Sequence, residues 1–280
     1  MSKRRGKRKF SIIRFISLII IAFVFTYILS AGLSLIQSQN WQNADDYLPV
    51  KNTSENISEN TSEKEAKNNS DISHRIKRAI FIKNEVNLKV DKKNFVKINE
   101  MPRDLIHAIV AVEDSRFYSH HGFDIEAIGR ASLVNLQSGR IEEGASTITQ
   151  QLVKNLFLSQ EQTFDRKIEE LILAFDLETV YSKEEILELY LNTIYFGSNF
   201  YGIKEAAEGY FAKEPRDLTL EESAMLAGLP NAPSLYSPYV DLELAKKRQK
   251  IVIDAMEQNG YIISSTAEKA KIAPLYFARE

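Results

Sequence analysis

Residues 182–194 read SKEEILELYLNTI, and this stretch decides the fold class. Ser182 followed three residues later by Glu185 spells a capping box, in which each side chain satisfies a backbone donor at a helix start. Behind it Ile186, Leu187, Tyr190, Leu191 and Ile194 recur at helical spacing. A helix with its own cap and one apolar face has to bury that face, so the stretch predicts a packed helical domain. Thr219 and Glu222 repeat the device ahead of Met225 and Leu226, with Gly228 and Pro230 as the stop.

Working outward, the spacing predicts a helix from Asp165 to Tyr181 with Ile168, Leu171, Ile172 and Phe175 on its buried side. Pro102 suits the first turn of another, whose Leu105, Ile106, Ile109 and Val110 share a face and whose end delivers Glu113 and Asp114. Leu242 to Gln258 predicts the last long helix, stopped at Asn259 and Gly260. Strand signals are few, with a short hairpin expected around Asn84 to Asn87. The expected class is mainly α, one two-lobed domain over residues 75–280.

Two segments precede that domain. Lys3, Arg4, Arg5, Lys7, Arg8 and Lys9 form a basic tail over residues 1–14, and an uncharged apolar run from Phe15 to Ile36 follows. That run is long enough to span a bilayer and exceeds the usual core of a cleaved signal peptide, so a retained anchor is expected. The positive-inside rule keeps the basic tail cytoplasmic and puts the chemistry outside the cell. Residues 37–74, with KNTSENISENTSEKEAKNNSDIS at 51–73, hold too few apolar side chains to repay their ordering and read as a flexible linker.

Composition closes off other classes. The chain has no cysteine, which removes disulfides, thiolate chemistry and cysteine zinc sites. Its formal net charge of −2 argues against a general nucleic-acid binder.

Three segments carry chemistry. In AVEDSRFYSHHGFD, residues 111–124, Glu113 and Asp114 follow an apolar helix, and neighbours such as Val112 and Phe117 tend to raise a carboxyl pKa by desolvation. A helix-terminal acid pair bonding backbone amides explains the same letters. His120 and His121 with Asp124 suggest a metal site or, more simply, a hydrogen bond from His120 that fixes the loop. In EEGASTITQQLVKN, residues 142–155, Thr147, Gln151 and Lys154 fall on one helix face that suits sugar or phosphate oxygens, although a Ser/Thr cap on a polar helix looks similar. In DRKIEELILAFDLE, residues 165–178, Arg166 and Lys167 share a face with Glu170, a spacing that ion pairing also explains.

In this order the three segments resemble the glycosyltransferase family 51 domain of bacterial peptidoglycan polymerases, found at the N-terminus of class A penicillin-binding proteins. The likeness continues through SKEEILELYLNTIYFGSNFYGIKEAAEGYFAKEPRDLTLEESAMLAGLPNAPSLYSPY, residues 182–239. It implies a lysozyme-like fold and polymerisation of lipid II, with the growing lipid-linked strand as donor. Glu113 matches the family's catalytic glutamate, a general base; Glu170 would organise the diphosphate end. Thr147 and Gln151 fall on donor-contacting positions and Arg130 on a basic position of the same region, all expected to bind substrate, with Ser146 and Asn155 as neighbours, and Lys154, Arg166 and Lys167 would neutralise the departing diphosphate. Asp114, Phe117 and His120 would support the site.

The resemblance also implies a divalent cation, Mg2+ or Mn2+, bridging phosphate oxygens, and docking on the bilayer, for which Leu156, Phe157 and Leu158 with Phe164 are the expected surface unless they pack in the core. Other wall-synthesis proteins are expected partners. Only a short segment follows the Leu242–Gln258 helix and no Ser-x-x-Lys motif occurs, so a monofunctional form is expected. The rivals are a lysozyme-like glycan-cleaving enzyme and an inactive membrane scaffold.

Overall fold

Two helices begin on the boxes just quoted, and a third box appears at Thr147. In the computed structural model, which describes residues 77, 80–138, 144–159 and 163–279, each box closes in both directions. Ser182 Oγ accepts from Glu185 N–H at 3.3 Å while Ser182 N–H donates to Glu185 Oε2 at 2.8 Å. Thr219 and Glu222 do the same at 3.4 and 2.9 Å. Such caps are worth about 1 kcal/mol each and fix where the helices start.

The helices are α1 (80–89), α2 (Arg103–Glu113), α3 (Ile125–Ser138), α4 (Ile148–Phe157), α5 (Phe164–Val180), α6 (Lys183–Thr193), α7 (Gly202–Phe211), α8 (Leu220–Gly228), α9 (Pro233–Tyr236), α10 (Leu242–Gln258) and α11 (Ser264–Ile272). Among the described residues the only strand pairing is two isolated bridges, His121 with Phe123 and Tyr195 with Tyr201. The protein is mainly helical.

Packing sorts the helices into two groups. α2, α8 and α10 lie against one another, while α4 packs on both α5 and α6. Leu105 and Ile109 of α2, Leu152 and Val153 of α4, Ile186 and Tyr190 of α6, and Val252 and Ile253 of α10 are fully buried in one continuous apolar core. Each large aliphatic side chain so buried contributes about 1.5–3 kcal/mol.

Several sequence expectations need correction. The hairpin around Asn84 is absent: 80–89 is helical, and Ile82 and Val86, one turn apart, are its buried residues. α5 is rotated from its expected face, turning Ile168, Glu170, Ala174 and Leu177 inward, while Leu171 and Ile172 are half-buried and Phe175 is 49% exposed. The cause is Glu170, which takes an inward place because polar partners meet it there. Leu156 is buried and Phe157 and Leu158 pack on the core, which leaves only Phe164 of the expected docking surface exposed. α11 follows the helix expected to be last, whose stop at Asn259 is completed by Gly260 at φ +74°.

Among the described residues no helix is long and apolar enough to cross a membrane. The expected tail at 1–14, anchor at 15–36 and linker at 37–74 lie outside the described residues.

Candidate active site

α2 ends at Glu113, and Asp114 caps it with its own N–H bonded to Val110 O. The chain then turns back, and Asp114 ties that turn to the start of α4. Its Oδ2 accepts from Ile148 N–H at 3.0 Å and from His120 Nε2 at 2.9 Å, so the acid sits at a helix N-terminus where the dipole favours it. Phe117 is fully buried, edge-on to His120 at 6.2 Å, with Lys183 Nζ 4.4 Å from its ring centre. Asp114, Phe117 and His120 thus form one buried brace under Glu113.

Gly122 closes the brace. Its φ is +78°, and a Cβ there would meet the Ala174 backbone at 2.8 Å, so the loop can lie on α5 only with glycine at this position. Gly122 O accepts from Thr147 Oγ1 at 2.7 Å. His120, His121 and Asp124 do not converge. His121 is exposed, with Nδ1 3.7 Å from Glu178 Oε2, and Asp124 Oδ1 accepts from Glu126 N–H and Ala127 N–H at the start of α3.

The centre of the site is a pair of consecutive glutamines on α4. Gln150 Nε2 donates to Glu170 Oε1 at 3.1 Å, and Gln151 Nε2 donates to Glu113 Oε2 at 2.8 Å. Each amide is fixed from behind: Thr147 N–H donates to Gln150 Oε1 at 3.1 Å, and Tyr190 Oη donates to Gln151 Oε1 at 3.0 Å. Neighbouring side chains of one helix therefore hold two glutamates from two other helices.

The two carboxylates differ in what else they touch. Glu170, 2% exposed, also accepts from Arg166 Nη1 at 3.0 Å and from Lys167 Nζ, so both its oxygens are taken. Glu113, whose side chain is 6% exposed, has Oε1 buried and without a hydrogen bond from any described residue; Arg248 Nη2 of α10 stands 3.6 Å from it. Burial pushes the Glu113 carboxyl above its ordinary pKa, the Gln151 hydrogen bond and the Arg248 charge oppose that, and Asp114 adds to it. Burial also pushes the Tyr190 hydroxyl well above its ordinary value, which keeps it a neutral donor.

Of the remaining residues singled out from sequence, Lys167 Nζ reaches exposed Ser146 Oγ at 3.2 Å. Thr147 is 2% exposed and fully committed to capping α4 and to Gly122, so its hydroxyl is structural and faces no open surface. Lys154 is half-buried and Asn155 exposed, about one turn beyond Gln151, and no contact among the described residues joins them to either glutamate. Arg130 lies on the exposed side of α3.

Sequence reasoning missed Arg248 as a site residue, gave Gln150 no part in holding Glu170 and gave Tyr190 only a core role. Gln150 carried a signal, because Thr147 followed three residues later by Gln150 is itself a capping box. Arg248 carried none, since only tertiary packing of α10 on α2 brings it to Glu113.

The donors among the described residues do not group to hold a resident metal ion. Among the described residues no three His, Cys, Asp or Glu side chains are grouped to hold one, and both Glu170 oxygens already accept hydrogen bonds.

A family model described as Transglycosylase matches residues 78–257. Penicillin-binding protein 1A of Aquifex aeolicus (strain VF5) is 46% identical over 191 residues, 68% of this chain and 26% of that protein. Penicillin-binding protein 1F of Bacillus subtilis (strain 168) is 46% identical over 184 residues, 66% of this chain and 26% of that protein. Among solved structures, penicillin-binding protein 1A from Haemophilus influenzae aligns with a TM-score of 0.41 at 27% identity, covering 66% of this chain and 18% of the other. The chain spans about a quarter of the length of the curated relatives it matches, so the likeness bears on their transglycosylase segment. That segment takes in both clamped glutamates, their glutamines, Tyr190 and Arg248, and it fills well over half of this chain, which therefore belongs to the transglycosylase family.

Proposed function

We propose that the chain is a peptidoglycan glycosyltransferase that polymerises lipid II into β-1,4-linked strands and releases undecaprenyl diphosphate, on a two-lobed lysozyme-like fold. The observation that carries this reading is the difference between the two clamps. One glutamate keeps an oxygen free and a raised pKa, as a general base needs, and the other is locked among cations, as a leaving diphosphate needs.

The step is a single displacement. The 4-hydroxyl oxygen of the acceptor N-acetylglucosamine attacks the donor anomeric carbon. Its proton goes to Glu113 as the new C–O bond forms. The bond to the diphosphate breaks, and the diphosphate departs with the electron pair. Arg166 and Lys167 carry two positive charges against the one negative charge of Glu170, so the group keeps a net +1 at its exposed Lys167 and Ser146 edge. Lys154, with no partner among the described residues, adds a further cation on the same helix as the clamps. A Mg2+ or Mn2+ ion, which the residues present do not cage, would arrive on the phosphate oxygens, and no step above depends on it.

The substrate's lipid tail requires a membrane. The apolar run at 15–36 supports a single-pass anchor with a cytoplasmic N-terminus, and α3 supports a second contact, because Ile125, Ile128, Leu133 and Leu136 are all exposed on one side of it. Other wall-synthesis proteins are proposed as partners. Labelled lipid II given to the purified chain with and without Mg2+ separates the readings: elongated glycan is expected, whereas cleaved glycan indicates a hydrolase and no turnover a scaffold.

A further inference from the structure

We propose that Tyr190 is a positioning residue for the transfer step: its hydroxyl locks the Gln151 amide so that Nε2 grips Glu113 Oε2, leaving Oε1 as the oxygen that takes the acceptor's proton. The inference rests on the glycosyl-transfer reading above. An amide has nearly the same shape at its two ends but opposite hydrogen-bonding character, so an unpinned Gln151 can offer Glu113 either a donor or an acceptor. Tyr190 lies fully buried on α6 and donates to Gln151 Oε1 at 3.0 Å, and the amide passes that orientation on to Glu113 at 2.8 Å. A chain of such bonds in a dry interior polarises along its length and favours the charged carboxylate at its end.

Oε1 is then singled out by elimination. It accepts no hydrogen bond from any described residue, and its nearest cation, Arg248, is held elsewhere, by Gly228 O at 3.2 Å and over the Tyr236 ring. An incoming hydroxyl that displaces the loose Nη2 contact at 3.6 Å meets an oxygen held in a fixed position.

The groups facing Glu113 are few. Asp114, the cap of α2, is a like charge tied to His120, Gln151 comes from α4, Tyr190 from α6 and Arg248 from α10. α8 also packs on α2, but its acids Glu221 and Glu222 are in its first turn and Glu222 is bound to Lys213 at 2.7 Å. Removing the Tyr190 hydroxyl leaves Gln151 Oε1 without a donor, frees the amide to turn, and weakens the hold on ionised Glu113. The Glu113 pKa then rises further, so less base is present at a given pH.

The test is the pH dependence of glycan elongation by the full chain on labelled lipid II, with wild type and Glu113→Gln as controls. Tyr190→Phe should move the acid limb up by about one pH unit, a roughly tenfold loss below the limb that recovers at high pH. Gln151→Met should move it the same way, and adding Tyr190→Phe to Gln151→Met should move it no further. If Tyr190→Phe melts too low to assay, 3-fluorotyrosine in place of Tyr190 keeps the shape and strengthens the donor, which should move the limb down. An unmoved limb in either replacement, with rate kept or uniformly lowered, overturns the proposal, as does a further shift in the double variant. A wild type that makes no glycan, or a Glu113→Gln that still does, overturns the glycosyl-transfer reading instead.

Discussion

Glu113 and Glu170 are held by adjacent amides of one helix and end in opposite states. Glu170 accepts three hydrogen bonds, two of them from cations, and both its oxygens are engaged. Glu113 accepts one, keeps a buried free oxygen and is pushed toward the protonated form. The difference teaches that two acids on similar clamps need not share a reaction: in the proposed reading, pairing with cations suits one to organise charge, and a free oxygen suits the other to act as a base.

The largest effect should come from breaking the proposed base. Glu113→Gln is expected to lower the elongation rate by about 10²–10⁴-fold with the fold intact, since general base catalysis contributes on that order. Stability should not suffer. A carboxyl whose folded-state pKa lies above its unfolded value favours folding at low pH, and that contribution is lost as pH rises through the folded pKa. The neutral amide therefore replaces a group whose charged form burial disfavours, and thermal melting at neutral pH should show Glu113→Gln at least as stable as wild type. By the same shift, the wild-type rate should fall on acidification at a pH above the ordinary carboxylate range.

Glu170→Ala should act in the other register. It leaves Arg166, 14% exposed at its side chain, without its acid, and removing one partner of a buried pair costs about 3–5 kcal/mol; Lys167 is 41% exposed and adds little. A lower melting temperature and a raised KM for the lipid-linked donor are expected, with the acid limb of the rate unmoved. If Glu170→Ala instead stays folded and loses turnover as completely as Glu113→Gln, the two acids share the proton chemistry and the contrast fails.

Thr147→Val probes the support common to both. The variant keeps the shape but loses the cap on α4 and the bond to Gly122 O, a cost of about 1–2 kcal/mol by urea unfolding. Both clamps sit on α4, yet neither uses the Thr147 hydroxyl directly, because Gln150 Oε1 is held by the Thr147 backbone. The expected result is a stability loss with the pH limb in place. A moved limb would assign the hydroxyl a part in tuning Glu113.

What could be read in the sequence follows the range of the interactions. Capping boxes, helical stripes and the Arg166, Lys167, Glu170 face are local, spelled within one or two turns, and α6, α8 and α10 start where the sequence places them. The rotation of α5 was hidden because an apolar stripe normally faces inward, and here Glu170 outcompetes Phe175 for the buried side once Gln150 is there to meet it. Arg248 and the Tyr190 hydroxyl were hidden for the same reason. Their partners come from distant segments, and no spacing rule connects α10 or α6 to the end of α2.

The smallest expected effect concerns the surface that the clamps do not touch. α3 follows the braced loop and exposes Ile125 by 69% and Leu136 by 70%, with Leu133 between them, whereas of the apolar residues first expected to meet lipid, Leu156 to Leu158 pack in or against the core and only Phe164 is exposed. Exposed apolar area of this kind is stabilised by contact with hydrocarbon at about 25 cal/mol per Å2. Leu133→Ser with Leu136→Ser should therefore raise KM severalfold for lipid II presented in vesicles and leave turnover of a short-chain, water-soluble analogue unchanged. Equal loss on both substrates would make α3 part of the clamp support, and no loss on either would leave the bilayer contact to the N-terminal segment alone.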